Sequence, residues 1–402
     1  MSFQQGLSGL NAASSRLDVI GNNVANTNTV GFKQSKAQFA DVYANSLSGG
    51  DQPGLGVQVA AIAQQFSQGS ITTSNNPLDI AINGNGFYRL SDQGAISYSR
   101  NGQFHQDKDG YIVNRTGLRL TGYTANAAGQ INAGAPSDIW ISSADLPPSA
   151  TTLVSALVNL DSREAILSSA AFNMTDPTTY SSFMPVPLHD SLGNSHTVST
   201  YFVKTAANAW DVFASSDGAM LNGGLSIGAL NFLPNGALSG AAIFPVTKTV
   251  TTGANPVVFN LDFTGTTQFG SSFGVNALAE DGYASGRLTG FDVGADGMIL
   301  GSYSSGKSLS LGQVVLADFA NPQGLQSQGD NTWIESPESG VPLIGVPKTG
   351  SLGGLQSGAV EDSNVELTSE LVNMIMAQRV YQANAQTIKT HDQVLQTAVN
   401  LR

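Results

Sequence analysis

Three short stretches of this 402-residue chain carry residue types that could do chemistry. Gly270-Ser271-Ser272-Phe273-Gly274 matches the G-x-S-x-G pattern of a nucleophile elbow, which presents a serine on a sharp strand-to-helix turn. His189-Asp190, with His196 close behind, sets imidazoles beside a carboxylate, the raw material of a triad or a metal pair. Asp107-Lys108-Asp109-Gly110 resembles the opening of a calcium loop. Each fails on its surroundings. The elbow needs a strand before it and a helix after it, and here both flanks have a Gly/Ser/Thr-rich β texture. Ser191 to Ser195 reads as a hairpin loop between strands. The aspartates lack a third ligand and the closing Glu, so they read as a turn. His105 reads as a surface strand residue, and His391 falls off the main stripe of a helix. Four histidines, no cysteine and no clustered carboxylates make a poor case for catalysis, so no enzyme, cofactor or metal site is expected.

Composition narrows the partners. The net charge is −12 and only 11 % of residues are charged, so no basic patch exists to grip nucleic acid. No apolar run reaches the length needed to cross a bilayer, so no membrane insertion is expected. The absence of cysteine excludes disulfides and thiolate chemistry. The first residues lack the cationic start and continuous apolar core of a secretory signal, so any export is expected to use another route.

What must position the chain's function is therefore its elements, and the ends stand out. Phe3, Leu10, Leu17 and Val24 recur every seven residues, widened by Leu7 and Ile20. At the other end Leu367, Met374, Tyr381, Ile388 and Leu395 do the same, with Leu371, Ala385 and Val399 beside them. A sustained seven-residue period predicts a coiled-coil-like seam between long helices. Ser363 followed by Glu366 reads as a capping box, which starts the C-terminal helix near Asn364 and gives it roughly 55 Å at 1.5 Å per residue. The N-terminal helix carries Gly6, Gly9 and Gly21, each costing about 1 kcal/mol against Ala, so alone it should fray. Spacing leaves two readings open: the helices pack on their own molecule, or on copies of it.

The residues between read as β. Ser46 to Gly56 is a Gly/Ser-rich excursion. From Leu78 onward, alternating stretches are separated by turn signals such as Asn83-Gly84 and Asn101-Gly102. The composition shifts near Leu146-Pro147-Pro148, and until about Tyr283 nine acidic residues stand against three basic ones. After Gly286 the pattern of residues 78–145 resumes. The fold class expected is a mainly β body of two β domains, the second inserted in the first, with long terminal α-helices paired like a coiled coil. Its parts are a terminal helical domain (1–30 and 364–402), a connecting hinge (31–71 and 359–363), an inner β domain (72–145 and 284–358) and an inserted outer β domain (146–283).

Asn11 to Lys33, centred on Asn22-Asn23-Val24-Ala25-Asn26, resembles the N-terminal signature of bacterial flagellar rod and hook proteins. Glu370 to Arg402 resembles that family's C-terminal signature, and LDIAINGNGFYRL, YSRNGQF and GLQSQGDNTW are similar to its first β domain. Length and the inserted domain point to the hook branch, with the shorter distal rod subunit of the drive shaft as the alternative. The resemblance implies a structural homopolymer: a curved tube joining rod to filament and passing torque as a universal joint. It implies terminal helices lining an export channel and inter-subunit packing through the two heptad seams. It implies contacts with rod protein, hook cap, hook–filament junction protein and the flagellar type III export apparatus, and a location outside the cell in the hook and basal body. Phe39 and Tyr43 resemble the motif by which such subunits dock on the export gate. The Ser46–Gly56 excursion is longer than in the shortest hook proteins, which bears on stiffness; trimming Gly49 to Pro53 is expected to change flexibility without abolishing assembly. An adhesin-like β protein is the reading from a different class.

Overall fold

Prolines show how this chain writes its sheets. Pro185 and Pro187 sit in the strand Ser182–His189, where a central position would cost ladder hydrogen bonds. The strand survives because it is an edge: its one neighbour is Ser195–Ala206. Met184, Val186 and Leu188 point inward and the prolines outward, the period-two burial of a half-covered sheet.

The computed structural model describes residues 2–42, 54, 56–142 and 144–400. The chain is mainly β, with one long helix at each end of the described residues. It divides into two compact units: residues 1–142, 290–301 and 309–402, and residues 143–289 with 302–308.

The second unit packs two five-stranded sheets face to face. One contains Ser182–His189, Ser195–Ala206, Ala209–Ser216, Ala219–Met220 and Gly228–Asn231. The other orders Ile243–Lys248, Val257–Asp262 and Leu153–Asp161, which also pairs with Thr267–Phe269 and Gly274–Glu280. Val154, Val158 and Leu160 from one sheet meet Phe202, Trp210 and Val212 from the other in a single core. Trp210 is fully buried and donates its indole N–H to Gln268 Oε1 at 2.6 Å, so its polar atom is satisfied.

The first unit holds the helices and a larger sheet, in which Arg119–Thr124, Phe87–Asp92, Ala95–Ser99, Thr332–Ile334 and Gln326–Gly329 follow one another. Phe66, Phe87, Tyr98, Phe319 and Trp333 fill its core edge to face, with ring centroids 4.8 to 5.9 Å apart. Within the stretch expected as a connecting hinge, the chain forms an antiparallel pair, β1 (Ser35–Val42) and β2 (Gly56–Gln64). Its sequence concealed it because neither face is buried, so no apolar alternation marks it.

Both helices are shorter than expected. Helix α1 covers Ser2–Ala25, not 1–30: the Asn26 N–H bonds back to Asn22 and Asn23, and Gly31 at φ +72° turns the chain toward β1. Helix α2 covers Leu367–Asn400, three residues later than the capping reading. Ser363 Oγ accepts from the Val365 N–H rather than from Glu366, and Asn364 is drawn into contacts elsewhere.

Candidate functional site: the paired terminal helices and their joint

The helices lie side by side and antiparallel: Gly6 sits beside Ile388, Gly9 beside Asn384, and Asn23 beside Glu370. A Cβ at Gly6 would stand 3.1 Å from Ile388 Cγ1, and one at Gly9 would stand 2.9 Å from the Asn384 amide. The glycines that weaken α1 as an isolated helix are thus what lets α2 come this close. The covered side of α1 is small: Gly6, Ala13 and Ile20 recur every seven residues, with Ala12 and Val19 adjacent.

The large residues read as seams are placed differently. Phe3 and Leu7 are exposed, and Leu10, Leu17 and Val24 are half-covered. On α2, Met374, Ala385 and Ile388 are half-covered, while Leu367, Leu371, Tyr381, Leu395 and Val399 are exposed. Val372, Ile375, Met376, Val380 and Val394, which the seven-residue reading passed over, are exposed as well. This run of apolar surface along α2 exceeds the scattered exposure ordinary for a monomer.

Where the helices meet the β structure, polar residues take over. Asn23, at 1 % exposure, grips the Ser35 backbone from both sides: its Oδ1 accepts from the N–H at 2.9 Å and its Nδ2 donates to the carbonyl at 2.8 Å. Its Nδ2 also reaches Glu370 Oε2 at 3.2 Å, and Gln34 Nε2 donates to Glu370 Oε1 at 2.9 Å. Asn364 accepts from the Gln34 N–H at 2.7 Å and donates to the carbonyls of Gln65 and Ser67. Of the remaining signature residues, Asn26 donates to Asn22 at the end of α1, and Ala25 and Asn22 face solvent.

Beneath this joint lies a buried ion triad. Glu361 takes Lys33 Nζ at 2.7 Å and Arg100 Nε at 3.0 Å, and also accepts from the Gly69 N–H at 2.9 Å. Lys33 donates further to the Ser67 carbonyl, and Arg100 to the carbonyls of Gly84 and Gly86. Burial pushes the Lys33 ammonium down from its ordinary value and the Arg100 charge adds to this, while Glu361 pulls the other way. The triad ties together three segments far apart in sequence; truncating one member leaves buried charge uncompensated.

No local pattern in the sequence marks this joint. Nothing along the chain identifies Lys33 and Glu361 as partners across 328 residues. The available signal is scarcity: in a chain only 11 % charged, each charge flanked by turn glycines, such as Arg100, is a candidate for a structural role.

The stretches with chemical residue types sit in turns. Gly270–Gly274 connects two strands, with no helix after it. Asp107 Oδ1 accepts from the N–H groups of Asp109 and Tyr111. Asp190 closes the hairpin before His196: burial alone would raise its carboxyl, but bonds from Asn194, His196 and Thr252 hold it well below the usual range. Phe39 lies exposed on β1; Tyr43, and residues 46–53 of the excursion, lie outside the described residues. Among the described residues no group of three or more metal-ligating side chains occurs, and no helix is long and apolar enough to cross a membrane.

Comparison with known proteins gives this architecture a class. Residues 3–33 match the flagella basal body rod protein model and residues 81–154 the flagellar hook protein FlgE/F/G D1 domain. Residues 159–283 match the flagellar basal body protein FlaE D2 domain, and 356–401 the flagellar basal body rod FlgEFG protein C-terminal model. Together these matches place the chain among the structural proteins of the flagellar hook and basal body rod. Flagellar hook protein FlgE of Salmonella typhimurium is 45 % identical over 410 residues, covering 100 % of both chains. That of Escherichia coli is 44 % identical over 409 residues with the same coverage, and that of Borreliella burgdorferi 33 % over 447 residues, covering 100 % of this chain and 99 % of its own. This chain belongs to the flagellar hook protein family. The crystal structure of Helicobacter pylori flagellar hook protein FlgE2 shares the fold at a TM-score of 0.54 and 14 % identity, covering 72 % of this chain and 99 % of its own.

Proposed function

We propose that the chain is a structural subunit of the bacterial flagellar hook, polymerising into a flexible curved tube that transmits motor torque from rod to filament. The observation that carries this reading is the end-to-end match to proteins named for the hook, together with a helix pair whose apolar residues the subunit leaves uncovered. Full-length relatives named for the hook, and a matched D2 domain over 159–283, favour the hook over the distal rod.

In this reading the large apolar residues of α1 and α2 pack against neighbouring copies, and the terminal helices form the inner tube. The four-part division into helices, hinge, inner β domain and outer β domain belongs to the same reading. So do contacts with rod, cap, junction protein and export apparatus, and delivery outside the cell through the flagellar export route. Phe39, with Tyr43, serves as the docking motif in the unfolded chain. Phe39→Ala should reduce export of the chain by more than any loss of folded-subunit stability accounts for. The subunit has no catalytic role. The test is deletion of its gene in the motile host: electron microscopy should show rods ending without hooks, and the intact gene should restore bent hollow tubes. Normal hooks in the deletion strain, or straight rods built from this chain, would refute the reading.

A further inference from the structure

The two ends of the antiparallel helix pair are chemically unlike. At one end α2 continues as an overhang from Ile388, the residue beside Gly6, to Asn400. This overhang carries Asp392, Val394, Leu395 and Val399, and the three apolar residues are 59 to 73 % exposed. Asp392 is exposed, accepting from Gln396 Nε2 on the same turn.

At the other end lies a cleft of about 400 Å³ among α1, β1 and the first turns of α2. Val19, Ile20, Ala37 and Phe39 give it apolar walls, and Arg16 and Lys36 supply positive charge. Neither cation has an ion-pair partner among the described residues. Glu370 also lines the cleft, but it is buried and engaged by Asn23 and Gln34, so the accessible charge is positive. The N-terminal turn of α2 adds its positive dipole end on the same side.

The geometry points to a head-to-tail contact in which the α2 overhang of one copy seats in this cleft of a second copy, Val394 and Leu395 against the apolar walls and Asp392 against Arg16 and Lys36. This rests on the reading of the chain as a polymer subunit and specifies which surfaces meet. Charge complementarity selects the occupant: in a chain of net charge −12 the cleft offers two cations with no ion-pair partner among the described residues, and the overhang offers the Asp392 carboxylate beside exposed apolar side chains. Because the two surfaces sit at opposite ends of the pair, copies can be joined head to tail, and where the rotation between them does not close a ring the contact propagates as an open filament. It cannot form within one molecule. Asn373 lines the cleft beside Ile20, and from there to Leu395 is roughly 33 Å along α2 at 1.5 Å per residue.

The test is charge exchange between copies. Arg16→Asp alone sets carboxylate against carboxylate, and Asp392→Arg alone sets cation against cation; each should lower seeded elongation at least ten-fold. An equimolar mixture should recover elongation, because each variant's tail then meets a complementary cleft. Elongation of both single variants at the unaltered rate, or no recovery on mixing, would overturn the contact. In case either variant folds poorly, Ala37→Cys with Leu395→Cys in the otherwise unchanged, cysteine-free chain gives a second reading. Oxidised tubes should yield disulfide-linked ladders and dilute monomer none; well-formed tubes without ladders would overturn it equally. Failure of the unaltered chain to form tubes at all would instead count against the hook reading itself.

Discussion

The sandwich of residues 143–289 and the helix pair use the same kinds of residue to opposite ends. In the sandwich Phe202, Trp210, Phe259 and Phe263 are inside, and the two sheets cover one another. In the helix pair the covered side is Gly6, Ala12, Ala13, Val19, Ile20 and Ala377, while Leu371, Ile375, Val380 and Leu395 are outside. The first region uses its apolar surface for its own stability; the second leaves much of it exposed in the subunit, where the proposed packing of copies would cover it. Hydrophobic burial scales with area at about 25 cal/mol per Å², so covering the exposed Leu371, Ile375, Val380 and Leu395 in an assembly would be favourable. The polar joint complements this arrangement. Asn23, Asn364 and the Lys33–Glu361–Arg100 triad fix where the pair leaves the β structure without using apolar area.

The sharpest way to break this contrast is to remove α2. Deleting residues 367–402 should abolish polymerisation while the sandwich keeps its own thermal transition. Polymer from the truncated chain, or collapse of the sandwich, would end the distinction between a self-sufficient region and an incomplete one.

Next in size is the triad. Glu361→Ala strands two buried cations and should cost about 3–5 kcal/mol in urea unfolding of the first unit, leaving the sandwich transition in place. Asn23→Ala removes three hydrogen bonds at the joint and should cost about 1–3 kcal/mol, with a larger proportional loss of polymer than of subunit stability. If polymer yield merely tracked stability in both variants, the joint would not be aiming the helices.

The smallest effect concerns acid. The Arg163 guanidinium and N–H beside Asp161 pull its carboxyl down to about 2. Its folded value lies below the ordinary 3.8, so its contribution is present above about pH 4 and is lost as pH falls toward 2. Asp161→Asn should flatten the acid limb of sandwich unfolding in that window and leave helix-pair unfolding unchanged.

Where the sequence was legible follows the same contrast. Strands with one buried face, such as Val257–Asp262 and Met298–Tyr303, were legible as short apolar runs near turn residues. The β1–β2 pair has no buried face and left no such trace. Heptads located both helices, because a seven-residue repeat of large apolar residues is visible wherever it later packs. They could not say which face the molecule itself covers: Gly6 and Gly9 read as defects in α1, yet they are its contact with α2. The triad was illegible because pairing between Lys33, Arg100 and Glu361 depends on the whole fold and on no local pattern.

The central claim is that neighbouring copies cover what the helix pair leaves bare. Amide hydrogen exchange on the intact chain, as dilute monomer and as assembled tube, tests it most directly. Residues 367–400 should exchange far more slowly in the tube than in the monomer, while Leu153–Asp161 and Ser195–Ala206 exchange alike in both. Equal protection of α2 in monomer and tube would contradict the account.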